Sequence, residues 1–276
     1  MISLTKGSIA DCVRVRTPLY HPDFPYILFW SQKSGCTTVV KWFFEQIGEL
    51  DTALEFGRWV HRYEQEVYKA RPGYRKELQA ALKAKSHKVV KIVRDPYRRA
   101  ASGFLILAER GAVIPKYHWV QKHWPLVDSW LAKRGLDPEA GITFLEHLEM
   151  VRQMEARGAQ TVNAHLSPQY IGGEERFVQE NVPIERFEAW ATARAGESGV
   201  KPVDFARVAD SKHHHETDPA VTAALGEEPE TFRITRGLYR DGRFPSTAAF
   251  VNERTRAPIR SAYAPDFKAY GALYGG

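Results

Sequence analysis

Cysteine is scarce in this chain. Its 276 residues include two, Cys12 and Cys36, and two cysteines build neither a disulfide framework nor a thiolate metal site. No apolar run reaches the length of a transmembrane helix. Met1–Gly7 has no basic segment leading into an apolar stretch of signal-peptide length. The expectation is a soluble, cytoplasmic protein without a transmembrane segment, with peripheral membrane contact left open. There is no internal repeat, low-complexity linker or second domain, so a single domain over 1–276 is expected. No grouping of Asp, Glu and His asks for a metal. Three adjacent histidines, His213–His215, cannot all face one ion from regular structure and read as a solvated loop. The histidines of the Trp-rich stretch 117–130 (His118, His123, beside Trp119 and Trp124) read as packing residues.

Hydrophobic residues make up 43% of the chain and aromatic residues 12%, the balance of a globular protein. At this length a sizeable core can be buried. The formal net charge is +6. That favours anionic partners modestly, and an acidic glycan, a phosphorylated cofactor, nucleic acid or mere solubility would each account for it.

The most informative stretch begins at Tyr26. Tyr26–Trp30 is a short, aromatic-rich apolar run, expected to be a buried strand. Small and polar residues follow around Gly35. Apolar residues then recur at Val39, Val40, Phe43, Phe44 and Ile47, a helical spacing that stops at Gly48. Strand, glycine loop and helix together hold phosphate well: free N–H groups at the helix start point at the anion, and glycine lets the backbone approach. The ATP/GTP loop G-x-x-x-x-G-K-S/T does not fit, because Cys36 follows Gly35 and the lysine, Lys33, precedes it.

A second stretch repeats the architecture. Val89–Val93 is a β-branched run and predicts another buried strand. Asp95 is a good N-cap and Pro96 a good first helical residue, so a helix is expected to start there for local reasons. Those reasons leave Arg94 at the strand tip and Ser102 two turns into the helix unexplained. Before both stretches, Pro18, Pro22 and Pro25 predict an irregular opening of about two dozen residues. Pro72 and Gly73 interrupt a charged, alanine-rich segment, 64–85, that is expected to be helical in part. Ile142, Leu145, Leu148 and Val151 predict a core-facing helix within 141–154.

Lys33–Thr38 resembles the 5′-phosphosulfate loop of PAPS-dependent sulfotransferases, P-K-x-G-C/T-T/S, with Gln32 in place of the usual proline. Val93–Phe104 resembles the 3′-phosphate motif of the same enzymes, V-R-D/N-P-x-x-R-x-x-S-x-F/Y, with Arg94, Asp95, Pro96, Arg99, Ser102 and Phe104 in register. Asn163–Gln169 resembles the H-W/F/L-x-P-Q segment of the carbohydrate branch, Golgi-type and bacterial. Arg176–Val178 and Val182–Glu188 resemble its next strand and helix start, and Tyr263–Gly271 its closing segment. The resemblance runs from about Tyr26 to the end and implies an α/β, P-loop nucleotide-kinase-like fold, with a mainly parallel sheet flanked by helices and the cofactor at the strands' carboxyl ends.

The implied activity is transfer of the sulfuryl group of PAPS to a hydroxyl acceptor, leaving PAP. Lys33 would stand at the bridging oxygen of the leaving phosphate, where negative charge develops. Ser34, Gly35, Cys36, Thr37 and Thr38 would hold the 5′-phosphate through loop N–H groups and hydroxyls. Arg94 and Ser102 would hold the 3′-phosphate. Cys36 is expected there for its small size rather than as a nucleophile. His61, between the two motifs, is the first candidate for the base that takes the acceptor's proton; His165 is the second, and Glu64 and His87 are outsiders. No metal is implied, and nucleic acid is not the expected partner. The carbohydrate-like segments suggest a glycan or glycolipid acceptor. Two other classes stay open: a kinase-like phosphotransferase, and a non-catalytic nucleotide- or anion-binding protein.

Overall fold

Lys88–Val93 is the central strand of the only extended sheet among the described residues. The computed structural model describes residues 8–57, 59–108, 123–156, 164–209, 216–236 and 243–275. Arg58, His118, Trp119, Asn163 and the His213–His215 run lie outside them. The chain divides into two compact units, one formed by 2–94 with 169–212 and one by 95–168 with 213–276.

The first unit carries the sheet. β1 is Tyr26–Phe29, β2 is Lys88–Val93 and β3 is Glu180–Pro183, all parallel in the order β1-β2-β3. Ile27 pairs with Val89, and Ile92 with Val182. Every residue of β1 is buried, as is every residue of β2 after Lys88. Strands covered on both faces have no polar side, which is why β1 appears in the sequence as an apolar run and β2 as a β-branched one interrupted by Lys91.

The connections are helical. Cys36–Ile47 follows β1 and ends at Gly48; Tyr74–Ala84 precedes β2, and Phe187–Thr192 follows β3. The core is strongly aromatic: Phe24, Trp42, Phe43, Phe44, Tyr68, Tyr74 and Phe187 are all buried. Ring pairs such as Phe24–Trp42 and Phe44–Tyr68 meet edge to face, with centroids 5.6 and 5.2 Å apart, the arrangement aromatic quadrupoles favour.

The irregular opening is interrupted. Ile9–Val15 is a short helix, because Ser8 and Asp11 cap it reciprocally before the prolines begin. Segment 64–85 is helical in part, as expected, with the break at Pro72 and Gly73 before Tyr74–Ala84. Val60–Tyr63 is one α-helical turn that widens into a π-helical turn, Glu64–Tyr68.

The second unit is mainly helical. Pro96–Leu105 starts where Asp95 accepts the Tyr97 N–H at 2.9 Å. Phe144–Glu155 is capped by a reciprocal Thr143–Glu146 pair. Glu253–Ala262 and Ala264–Tyr270 complete the main helices. Their core gathers Phe104, Phe144, Leu148, Val151, Phe250 and Ile259. A two-residue parallel pair joins Glu216–Thr217 to Arg243–Phe244. Among the described residues no helix is long and apolar enough to cross a membrane.

Candidate functional site

The loop between β1 and its helix turns on two left-handed residues. Gly35, the N-cap, has φ 71°, and Lys33 has φ 65°. Glycine adopts this region without penalty, whereas lysine at that angle is strained. A Cβ on Gly35 would also run into the Ile184 side chain. No side chain caps the helix, so the amides of Cys36, Thr37 and Thr38 have no acceptor within it. The loop therefore carries the features of an anion cradle: a close-approach glycine, a turn of outward N–H groups and the positive end of the dipole.

One buried amide ties this loop to the end of β2. Gln169 accepts the Arg94 N–H at 3.0 Å and donates to the Arg94 carbonyl at 2.7 Å. The same oxygen accepts the Ser34 hydroxyl at 3.1 Å. Arg94 Nη1 in turn donates to the Lys33 carbonyl at 2.9 Å. Lys33, Ser34 and Arg94, which belong to separate sequence motifs, thus form one hydrogen-bonded cluster.

Behind the cluster, the Gln169 carbonyl accepts from Arg16 Nη1 and from Lys91 Nζ, each at 2.6 Å. Lys91, fully buried in the middle of β2, pairs with Glu174 at 2.5 Å. A buried ammonium requires such a partner and additional acceptors to be tolerated.

A second network flanks the start of the helix. The short helical turn at 60–63 places His61 between Trp30 and Trp59, with ring centroids 5.2 and 5.6 Å away. His61 Nδ1 donates to Glu64 Oε2 at 2.6 Å, and Nε2 lies 3.4 Å from Thr37 Oγ1. Glu64 is completed by Lys69 Nζ at 2.5 Å, which also donates to the Thr17 carbonyl.

Burial opposes charge on His61, Glu64 and Cys36, and the neighbours overcome it. The His61 pKa is raised to about 10 against its desolvation, by Cys36 and Glu64. Glu64 is lowered to about 2 against its own desolvation, by Lys69 and His61. Cys36 is lowered, again against burial, by His61 and more weakly by Lys33. At neutral pH the ring is thus an imidazolium paired with the Glu64 carboxylate, a poor state for the general base expected of it.

Lys33 through Thr38, His61 and Arg94 all lie in the sheet unit. Ser102 and His165 lie in the helical unit, where the His165 carbonyl passes so near Gly103 that a Cβ there would come within 2.9 Å. Arg99, in register with the 3′-phosphate motif, is buried and donates to the carbonyls of Ser167 and Ala164 at 2.8 and 3.0 Å, holding that segment on the helix. Sequence reasoning missed Gln169, Lys69, Arg16 and the Lys91–Glu174 pair. The P-Q dipeptide at 168–169 was a signal for the first. The three-residue spacing of His61 and Glu64, neighbours on one helix face, could have shown that pair. Among the described residues no group of His, Cys, Asp or Glu is arranged to hold a metal ion.

No protein-family model matches the chain, and no match was found among curated proteins or solved structures.

Proposed function

We propose that this protein is a PAPS-dependent sulfotransferase built on a P-loop nucleotide-kinase-like scaffold. The supporting observation is the cluster in which Arg94 donates to the Lys33 carbonyl while Gln169 joins Arg94 to Ser34. Two motifs that carry opposite ends of one nucleotide in the resembling family are here held together by a shared buried amide. The uncapped helix behind Gly35 fits a phosphate group.

PAPS supplies the SO₃ group and departs as PAP. The Cys36, Thr37 and Thr38 amides, with the two threonine hydroxyls, bind and orient the 5′-phosphate. Lys33 neutralises charge that grows on the bridging oxygen, and so contributes more in the transition state than in the ground state. Assignment of the 3′-phosphate to Arg94 and Ser102 rests on the sequence motif. His61, charged and tied to Glu64, enters as a second cation beside Thr37. His165 remains the second candidate base, on the sequence segment alone. The acceptor is proposed to be a glycan or glycolipid hydroxyl, from the carbohydrate-branch segments.

Calorimetric titration with PAP, and with ATP–Mg²⁺ as comparison, tests the reading. Micromolar or tighter binding of PAP alone is expected, on the order of 8 kcal/mol. Binding of ATP–Mg²⁺ without PAP would overturn it and favour phosphoryl transfer. PAP binding without turnover on any hydroxyl acceptor would leave a nucleotide-binding protein.

A further inference from the structure

A cavity of about 510 Å³ opens beside the loop, within the sheet unit. Trp30, which follows β1, lines it, and so does Gln32, the residue before Lys33. The cavity walls carry three cations, Arg16, Lys69 and Arg75, against one carboxylate, Glu64. That carboxylate is already met by Lys69 at 2.5 Å and by His61 at 2.6 Å. The surplus charge of the lining is positive and favours an anion inside.

The three cations are held differently. Arg16 is buried, and its Nη1 donates to the Ser31 hydroxyl at 2.7 Å and to the Gln169 carbonyl at 2.6 Å. Lys69 is held by Glu64 and the Thr17 carbonyl, 5.4 Å from the centre of the Trp30 ring. Arg75 is exposed and pairs with no carboxylate among the described residues. Its position is set by its neighbour: Tyr74 is buried, and its hydroxyl donates to the Pro18 carbonyl at 2.8 Å. Arg75 also stands in the first turn of Tyr74–Ala84, where the helix dipole disfavours a cation. Local stability gives no reason for an arginine there; an incoming anion does.

The rest of the lining describes the body of the ligand. Gln32 and Gln65 bring side-chain amides, which donate and accept as sugar hydroxyls do. Trp30 and Ala70 supply apolar surface. A planar guanidinium fork matches a carboxylate. We propose that this cavity binds a carboxylate-bearing sugar, a hexuronate unit, with Arg75 on the carboxylate. Trp30 and Glu64 both line the cavity and both touch His61, at 5.2 Å between ring centroids and at 2.6 Å. The bound sugar therefore lies one side chain from the ring that flanks the loop helix. Its role as the sulfuryl acceptor rests on the sulfotransferase reading; its binding does not.

The test is calorimetric titration of the whole chain, without nucleotide, with an unsulfated tetrasaccharide of alternating glucuronate and N-acetylglucosamine. The carboxyl-reduced tetrasaccharide, with glucose in place of glucuronate, is the comparison. The acidic form is expected to bind, and the neutral form to bind about tenfold or more weakly. Arg75→Gln should weaken the acidic form about tenfold and leave the neutral form unchanged. The variant is expected to keep the wild-type thermal midpoint; if it does not fold, the wild-type comparison decides alone. No binding of the acidic form, equal binding of the two forms, or an unchanged affinity in folded Arg75→Gln overturns the proposal. Tighter binding of glucose 6-phosphate than of glucuronate overturns the carboxylate assignment. Titration with PAP separates the site from the reaction. PAP binding without uronate binding refutes the site and leaves the sulfotransferase. Uronate binding without PAP binding refutes the sulfotransferase and leaves the site.

Discussion

Gln169 holds both backbone groups of Arg94, accepting its N–H at 3.0 Å and donating to its carbonyl at 2.7 Å. The amide side chain does for the end of β2 what another strand would do. It is fully buried, and its loss removes both of these bonds from the Arg94 backbone. Gln169→Leu should therefore lower stability by about 1–3 kcal/mol, measured by urea unfolding. It should also weaken PAP binding, since Arg94 and Ser34 would no longer be held in register.

Removal of the Lys33 ammonium should abolish transfer and leave PAP affinity within roughly tenfold, because the charge acts mainly in the transition state. The left-handed backbone at this position adds a second expectation. Lys33→Gly should be more stable than Lys33→Ala by about 1 kcal/mol, while both are inactive. Near-normal turnover in either variant would refute the role of Lys33.

Gly35→Ala combines a left-handed φ with a Cβ driven into Ile184. The expected loss is about 2–4 kcal/mol, part from the backbone and part from crowding. Adding Ile184→Ala should relieve the second part only. A double-mutant cycle on thermal stability measures the coupling, and strictly additive effects would show that Ile184 yields freely.

The network around Glu64 makes stability depend on pH at both extremes. Glu64, held at about 2 in the fold, contributes stability that is present above its unfolded value and lost as pH falls through about 4.5 to 2. His61, held at about 10, contributes stability that is complete below about 6.5 and lost as pH rises toward 10. Glu64→Gln should flatten both limbs of the thermal midpoint against pH. Turnover separates the two roles of His61: a cation predicts a rate that falls as pH rises toward 10, a base predicts one that rises.

His147 is the acid-sensitive point of the helical unit. It is buried against Phe104 and Phe144, with neither ring nitrogen hydrogen-bonded among the described residues. Burial, aided by His123, lowers its pKa to about 3. Its neutral form thus contributes stability above about pH 6.5 that is lost as pH falls toward 3. His147→Leu should move acid unfolding to lower pH; an unchanged acid midpoint would show that the unfolding is controlled elsewhere.

Local physics made much of the framework legible. Buried parallel strands favour apolar residues on both faces, so Tyr26–Phe29 stands out as a run, and Val89–Val93 as a β-branched one despite Lys91. Gly48, Asp95 and Pro96 mark helix ends because they satisfy or avoid backbone groups within one turn. The same locality explains the helix at 9–15, whose Ser8–Asp11 box was present in the sequence but was overlooked among the prolines. The order strand, glycine, helix at the loop was legible in the same way.

Only the tertiary structure decided which side chains serve that loop. Gln169 is 75 positions from Arg94 and 135 from Ser34, and nothing in a linear pattern carries a distance of that kind. Lys91 sits in a strand whose alternation would admit a charge only if Glu174 and the Gln169 carbonyl were brought to it. The protonation of His61 follows the same rule. Its residue type permits either state at neutral pH, and the buried Glu64, 2.6 Å from Nδ1, with the electrostatic effect of Cys36, selects the charged one because a low-dielectric interior strengthens such interactions.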